Sequence, residues 1–197
     1  DKGLIKSKYC QSEEIDLSEL KNIPMSIEKI LNENEDIEGL ISCAGVGYFG
    51  NLENFSVDQI LSSINTNLLS HVILTKYLVP FFKKKNKGKL IYIGSESALD
   101  GGKKGSLYSA AKFGLRAVAS GLAREYGPKG VHVSHVIIDG GINGDVIRNK
   151  APERIKSAGE SGMLNPSAIA ETYWQLHLQH PSAWSFEVDL RPFKEVF

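Results

Sequence analysis

Short apolar runs alternate with longer helix-forming segments along this 197-residue chain, and that alternation limits its possible folds more than any other feature. Residues 39–43, 89–94, 131–138 and 185–190 read as strands, and a further short strand is expected before Asp16. Between them lie segments long enough for helices: 23–31 with its cap around Asn22, 56–83, a helix carrying Tyr108 that ends near Tyr126 at Gly127-Pro128, and one opened by Asn165-Pro166 that reaches about His180. Strands separated by helices pair in parallel, because each crossover returns the chain to the same end of the sheet. The run Val131-His132-Val133-Ser134-His135-Val136-Ile137-Ile138 is expected to be deeply buried, as parallel strands are. No internal repeat, low-complexity tract or second domain is visible, so residues 1–197 read as a single domain. Residues 143–164 read as a mobile, mostly polar stretch that covers a pocket, with Ile147, Ile155, Met163 and Leu164 as its apolar contacts.

The chemistry concentrates where a strand hands over to a helix. Tyr108 and Lys112 are four residues apart, which places them on one helical face a turn apart. An ammonium beside a phenol favours the phenolate, so Tyr108 is expected to have a lowered pKa and to serve as a general acid or base. Ser95 closes the strand thirteen residues upstream and puts its hydroxyl at the carboxyl end of the sheet, where open α/β sheets take their ligands. Together the three suit proton transfer to or from a carbonyl or alcohol oxygen.

Composition removes several function classes. Twenty-three basic residues balance twenty-three acidic ones, so there is no basic excess for nucleic acid. The densest basic run, Lys83-Lys84-Lys85-Asn86-Lys87, follows an apolar helix and suits its carboxyl end. Cys10 and Cys43 form neither a disulfide framework nor a zinc motif, and they fit a reducing, cytoplasmic setting, with Cys43 expected as a buried core thiol. The apolar segment around Val72–Pro80 is interrupted by Lys76, so no membrane span or signal segment is read. His132 and His135 fall on opposite faces of their strand and have no ligand partner by spacing, so no metal is expected. Trp174, Trp184 and Phe186 read as core or interface residues.

In order and spacing, these residues resemble the short-chain dehydrogenase/reductase family over nearly the whole chain. Asp16-Leu17-Ser18 is similar to the family's acidic position that contacts the adenine, and Ser42-Cys43-Ala44-Gly45 to its Asn-Asn-Ala-Gly turn. Asn67 stands where the family keeps a catalytic Asn, and Ser95, Tyr108 and Lys112 match the remaining catalytic positions. Ile138-Asp139-Gly140-Gly141-Ile142 occupies the place of the usual Pro-Gly segment. With the residues 183–193, that segment resembles a bacterial branch of the family. The resemblance implies an α/β, Rossmann-like doubly wound parallel sheet with helices on both faces. It also implies a cofactor, NAD or NADP, held by Asp16, Leu17, Cys43, Ala44, Gly45, Tyr108, Lys112, Asp139, Gly140, Gly141 and Ile142. In its terms Tyr108 exchanges the proton, Lys112 lowers the Tyr pKa and binds ribose hydroxyls, Ser95 orients the substrate oxygen, and Asn67 holds a water that links Lys112 to solvent.

Three departures stand beside the resemblance. No strand, glycine-rich turn and helix precede Asp16, so the family's first βαβ unit, which holds pyrophosphate at a helix N-terminus, is absent from this sequence. Gly45-Val46-Gly47-Tyr48-Phe49-Gly50 spells G-x-G-x-x-G, but no acidic residue follows about 20 positions on and Asn51–Asn54 opens a helix poorly. The turn's two Asn residues are Ser42 and Cys43 here, Asp139 replaces a Pro, and Gly144 stands where many members carry a Thr.

The expected function is an NAD(P)-dependent oxidoreductase that interconverts a carbonyl and an alcohol on a small molecule, without nucleic acid or membrane partners. A second reading is a non-catalytic relic of the fold that oligomerises or binds a partner. A start at Asp1 rather than Met fits a third, a portion of a longer enzyme. Small residues at Ala110, Ala111, Gly114, Ala117, Ala119 and Gly121 suit either packing on the chain's own sheet or close helix contact in a homodimer or homotetramer.

Overall fold

A computed structural model describes residues 12–195. Its sheet is parallel throughout, in the order β1 (Gly39–Ser42), β2 (Gly88–Ile93), β3 (Val131–Ile138) and β4 (Glu187–Leu190). The pairings Ile41↔Ile91, Ile93↔Val136 and Ile138↔Leu190 align the strand ends, so that the loops after β1, β2 and β3 leave from one edge. All eight residues of β3 are buried, the polar His132, Ser134 and His135 along with its Val and Ile residues. The strand expected before Asp16 does not occur within residues 12–16; Cys10 and the residues before it lie outside the described residues.

Helices cover both faces, and the alternation of side chains along the strands assigns them. Leu90 and Tyr92 of β2, with Val131 and Val133 of β3, point into one cluster. There they meet Ile23 and Ile27 of α1 (Ile23–Glu33), Leu78 and Phe82 of α3 (Ser70–Lys85), and Leu115 and Ala119 of α4 (Ser106–Tyr126). The other face collects Ile91, Ile93, Val136 and Ile138 against Leu164 and against Ile169 and Leu176 of α7 (Pro166–Leu178). A doubly wound sheet follows directly from these two clusters.

Two segments differ from the sequence expectation. The single helix over 56–83 is instead α2 (Val57–Ile64), a π-helical turn at Asn65–Leu69, and then α3. Ser56 and Gln59 form a reciprocal capping box at the start of α2, so the helix has a defined beginning. At its far end Asn86 takes the left-handed conformation, φ 48°, and stops α3 just after Lys83, Lys84 and Lys85. The stretch 143–164 folds into two short helices, α5 (Asp145–Lys150) and α6 (Pro152–Ala158). Its ends are clasped by Asn143 N–H to Leu164 O and Leu164 N–H to Gly141 O, both 2.8 Å. Among the described residues no helix is long and apolar enough to cross a membrane.

Candidate active site

Lys112 is the best-anchored side chain at the carboxyl end of the sheet. It comes from the inner face of α4, is 4% exposed, and donates from Nζ to the carbonyl of Ile93, the last residue of β2, at 2.9 Å. Burial pushes its ammonium down to about 8. Tyr108, one turn earlier, has its ring 5.6 Å from Lys112 Nζ and tilted against Phe49 at 5.2 Å. The expectation of a lowered Tyr108 pKa is overturned. Burial raises it, the charge of Glu96 raises it further, and the hydrogen bond with Ser95 only partly offsets them. Desolvation acts on the whole phenolate, whereas a cation alongside the ring rather than at the oxygen compensates little.

Ser95 directly follows Gly94 and caps a 3₁₀ turn, Glu96–Ala98, by accepting from Ser97 N–H at 3.2 Å. Its own hydrogen goes to Glu96 Oε2 at 2.5 Å. Asn67 sits in the π-helical turn, fully buried, and clamps the loop after β1: Oδ1 accepts from Val46 N–H at 2.9 Å and Nδ2 donates to Val46 O at 2.8 Å. A Cβ at Gly45 would lie 3.0 Å from Asn67 Oδ1 and 4.0 Å from Lys112 Nζ, so a side chain there would press on the Asn67 amide. Behind it, buried His71 of α3 pairs through Nδ1 with the Ser42 hydroxyl at 2.5 Å, and burial lowers its pKa to about 4.

A second buried histidine braces the site from below. His135 Nδ1 is 3.0 Å from Glu187 Oε2, and Arg116 of α4 grips the same carboxylate through Nε at 2.7 Å and Nη2 at 2.8 Å. This network ties α4, one turn past Lys112, to β3 and β4. Burial lowers the His135 pKa more than Glu187 raises it. The imidazole lies where a Cβ on Gly94 would be, so the strand end needs a glycine just before Ser95.

These groups open into a cavity of about 930 Å³. Of the residues expected at the site, Cys43, Gly45, Ser95, Tyr108, Lys112 and 139–142 line it; Ala44 and Asn67 lie behind its wall, and Asp16 and Leu17 are not on it. The Asp16 carboxylate is engaged locally, accepting from Ser18 N–H at 2.9 Å and Ser18 Oγ–H at 2.7 Å, while Leu17 packs on the apolar cluster under α1. Cys43 is not the core thiol expected; it is exposed toward the cavity, because β1 ends at Ser42 and the chain turns there. Asp139 pairs with Arg191 at 2.9 Å, which gives the Pro-to-Asp change a structural partner in the C-terminal segment. Gly140, at φ 121°, leaves no room for a Cβ beside Pro192 and Glu195. Sequence reasoning missed Phe49, Glu96, Val146 and Arg154, all of which line the cavity. Only Glu96 carried a signal, as a charge between two serines at the end of a buried strand.

The sequence matches the family described as short chain dehydrogenase over residues 7–154. It is 33% identical over 125 residues to the NADP-dependent 3-hydroxy acid dehydrogenase of Schizosaccharomyces pombe, covering 61% of this chain and 48% of that protein. It is 30% identical over 114 residues to a 3-ketodihydrosphingosine reductase of Bacteroides thetaiotaomicron, covering 58% and 42%. The chain thus spans about half the length of these curated relatives. Among solved structures, a metagenomic short-chain oxidoreductase in complex with NADP superposes with a TM-score of 0.77 at 25% identity, covering 94% of this chain and 75% of the other. A serine dehydrogenase complexed with NADP+ superposes with a TM-score of 0.82 at 19% identity, over 94% and 77%, and shares the fold.

Proposed function

The chain belongs to the short-chain dehydrogenase family, and from that premise we propose that it is an NAD(P)-dependent oxidoreductase that interconverts a carbonyl and an alcohol, with Tyr108 as the group that exchanges the proton. One observation carries the reading: Ser95, Tyr108 and the buried ammonium of Lys112 converge on one wall of a cavity whose opposite loops carry glycines. The residues fit the nicotinamide end of the cofactor. Lys112 spends one N–H on Ile93 and has others for ribose hydroxyls, while Gly45 and Gly141 offer backbone without side chains. When bound, the nicotinamide supplies or accepts the hydride at the reacting carbon. NADP is the form to test first, since it is named for the Schizosaccharomyces pombe relative and bound in the metagenomic oxidoreductase.

The chain's own groups handle the oxygen. During reduction the phenolic proton of Tyr108 passes to the carbonyl oxygen as the carbon gains hydride, leaving a phenolate; oxidation reverses both transfers. Ser95 donates to the same oxygen and so acts most strongly as negative charge develops, while Lys112, with its ammonium beside the ring, offsets the phenolate only weakly. Asn67 fixes the loop at Val46, and with it the approach of the cofactor to Lys112. For the assembly we propose a homodimer or homotetramer formed across the outer face of α4.

Tyr108→Phe tests the reading. The substitution should lower turnover of a ketone by about 10²–10⁴-fold while reduced-nucleotide affinity, followed by fluorescence titration, stays within a factor of about two. Near-normal turnover in the variant would remove Tyr108 from the chemistry.

A further inference from the structure

Ser95 has one hydroxyl hydrogen, and Glu96 holds it. The bond to Glu96 Oε2 is 2.5 Å, and Ser97 Oγ donates to Oε1 of the same carboxylate at 3.2 Å. A hydroxyl donates once, so in this arrangement Ser95 can accept from a substrate but cannot donate to a carbonyl oxygen. A charge-assisted bond to a carboxylate is about twice as strong as one to a neutral acceptor. A ketone therefore does not win the hydrogen unaided; something must first engage the carboxylate. Glu96 is exposed, faces the cavity alongside Ser95 and Tyr108, and has no ion pair among the described residues. Other charges on the wall are placed elsewhere. Lys112 is bonded to Ile93, Asp139 is paired with Arg191 and Asp145 with Arg148, while Arg154 and Glu195 lie beside Gly141 and Gly140 on the far loop.

Resting on the oxidoreductase reading above, we infer that Glu96 determines specificity: it selects substrates carrying a hydrogen-bond donor, above all an ammonium, on the carbon next to the reacting one, and docking of that donor releases the Ser95 hydrogen to the substrate oxygen. Geometry allows the adjacency. An oxygen bonded to Ser95 Oγ lies about 2.7 Å from it, and Glu96 Oε2 is 2.5 Å from the same Oγ. A donor that meets Oε2 on the side it shares with Ser95 then sits within a few ångströms of the reacting oxygen, which is the reach of a 1,2-amino alcohol or α-amino ketone. A carboxylate at that carbon would face Glu96 as a like charge and be rejected. The same pairing also relieves the upward push of Glu96 on the Tyr108 phenol.

Three alcohols sharing a phenyl-bearing carbinol carbon test this on the full chain with NADP+: 2-amino-1-phenylethanol, 1-phenylpropan-1-ol and mandelate, at near-neutral pH where the amine is protonated. Each is also run as an inhibitor of the fastest ketone reduction found, so that a ranking is read whether or not it is turned over. The wild type should favour the amino alcohol over its ethyl counterpart by about 10-fold or more, with mandelate last. Glu96→Ala and Glu96→Gln should erase that preference, raising KM or Ki for the amino alcohol and raising kcat for 1-phenylpropan-1-ol, because the Ser95 hydrogen is no longer held by a carboxylate. An identical ranking in wild type and both variants overturns the role of Glu96, as does a wild type that prefers mandelate, and either leaves the oxidoreductase reading standing. A wild type that reduces no ketone, oxidises no alcohol and binds none of the three overturns both.

Discussion

Lys112 shows how far a single residue can be held from its most stable state for the sake of a site. Its ammonium is almost completely buried and pushed from an ordinary 10.5 to about 8. Below about pH 8 the folded and unfolded chains both hold the proton, and the folded state bears the full desolvation cost. Between 8 and 10.5 the unfolded chain keeps the proton and the folded chain does not, so stability rises with pH across that window. Lys112→Met should therefore stabilise the fold near pH 7, by at most about 3 kcal/mol on the conversion of pKa displacement to free energy. The gain should shrink toward zero by pH 10.5. Urea melts of both proteins at pH 7 and pH 10 measure it; parallel pH slopes would mean that the charge is not a burden. The four-residue spacing made Tyr108 and Lys112 legible as a pair. It could not show that burial outweighs the cation at the phenol, because the packing of Phe49 and the charge of Glu96 arrive from other loops.

Between elements, fit is set by what one strand end leaves room for. Gly94 follows β2 beneath the imidazole of His135 on β3, with Ile93 and Val136 in register beside them. Gly94→Ala should collide with His135 Nε2 and destabilise the protein by about 1–3 kcal/mol, the usual cost of overpacking. It should also displace Ser95 and lower turnover. His135→Ala removes the obstacle, so the double variant should lose less stability than the sum of the single losses. Strict additivity in thermal melts would rule out the contact. Strand β3 was readable to the residue because its Val and Ile residues are bounded by Gly130 on one side and Asp139-Gly140 on the other. The π-helical turn was not: inserting it shifts the helical phase without breaking the apolar pattern, so 56–83 still reads as one helix. Yet that turn holds Asn67 against Val46. Cys43 misled for a related reason, since β1 is short and alternates between exposed and buried positions instead of being enclosed.

Across the whole molecule, the small residues of α4 divide between two faces of the helix. Ala111 and Ala119 are fully buried against the sheet. Ala110, Ala117 and Gly121 face outward, beside an exposed Phe113, and a Cβ at Gly121 would meet nothing within 4 Å. An outward glycine in the middle of a 21-residue helix costs stability, about 0.5–1 kcal/mol relative to alanine. Among the described residues nothing offsets that cost. Close approach of the same helix from a second copy would, because two such stripes bring their backbones together across a two-fold axis. Gly121→Glu separates the cases. In an isolated chain it fills open space and raises helix propensity, so the melting temperature should stay level or rise. In the proposed assembly it places a bulky like charge opposite itself and should reduce the wild-type multimer to particles of 21.6 kDa, read by sedimentation velocity. A wild type already at that mass, or a multimer untouched by Gly121→Glu, would move the interface off α4 and leave the glycine without a role.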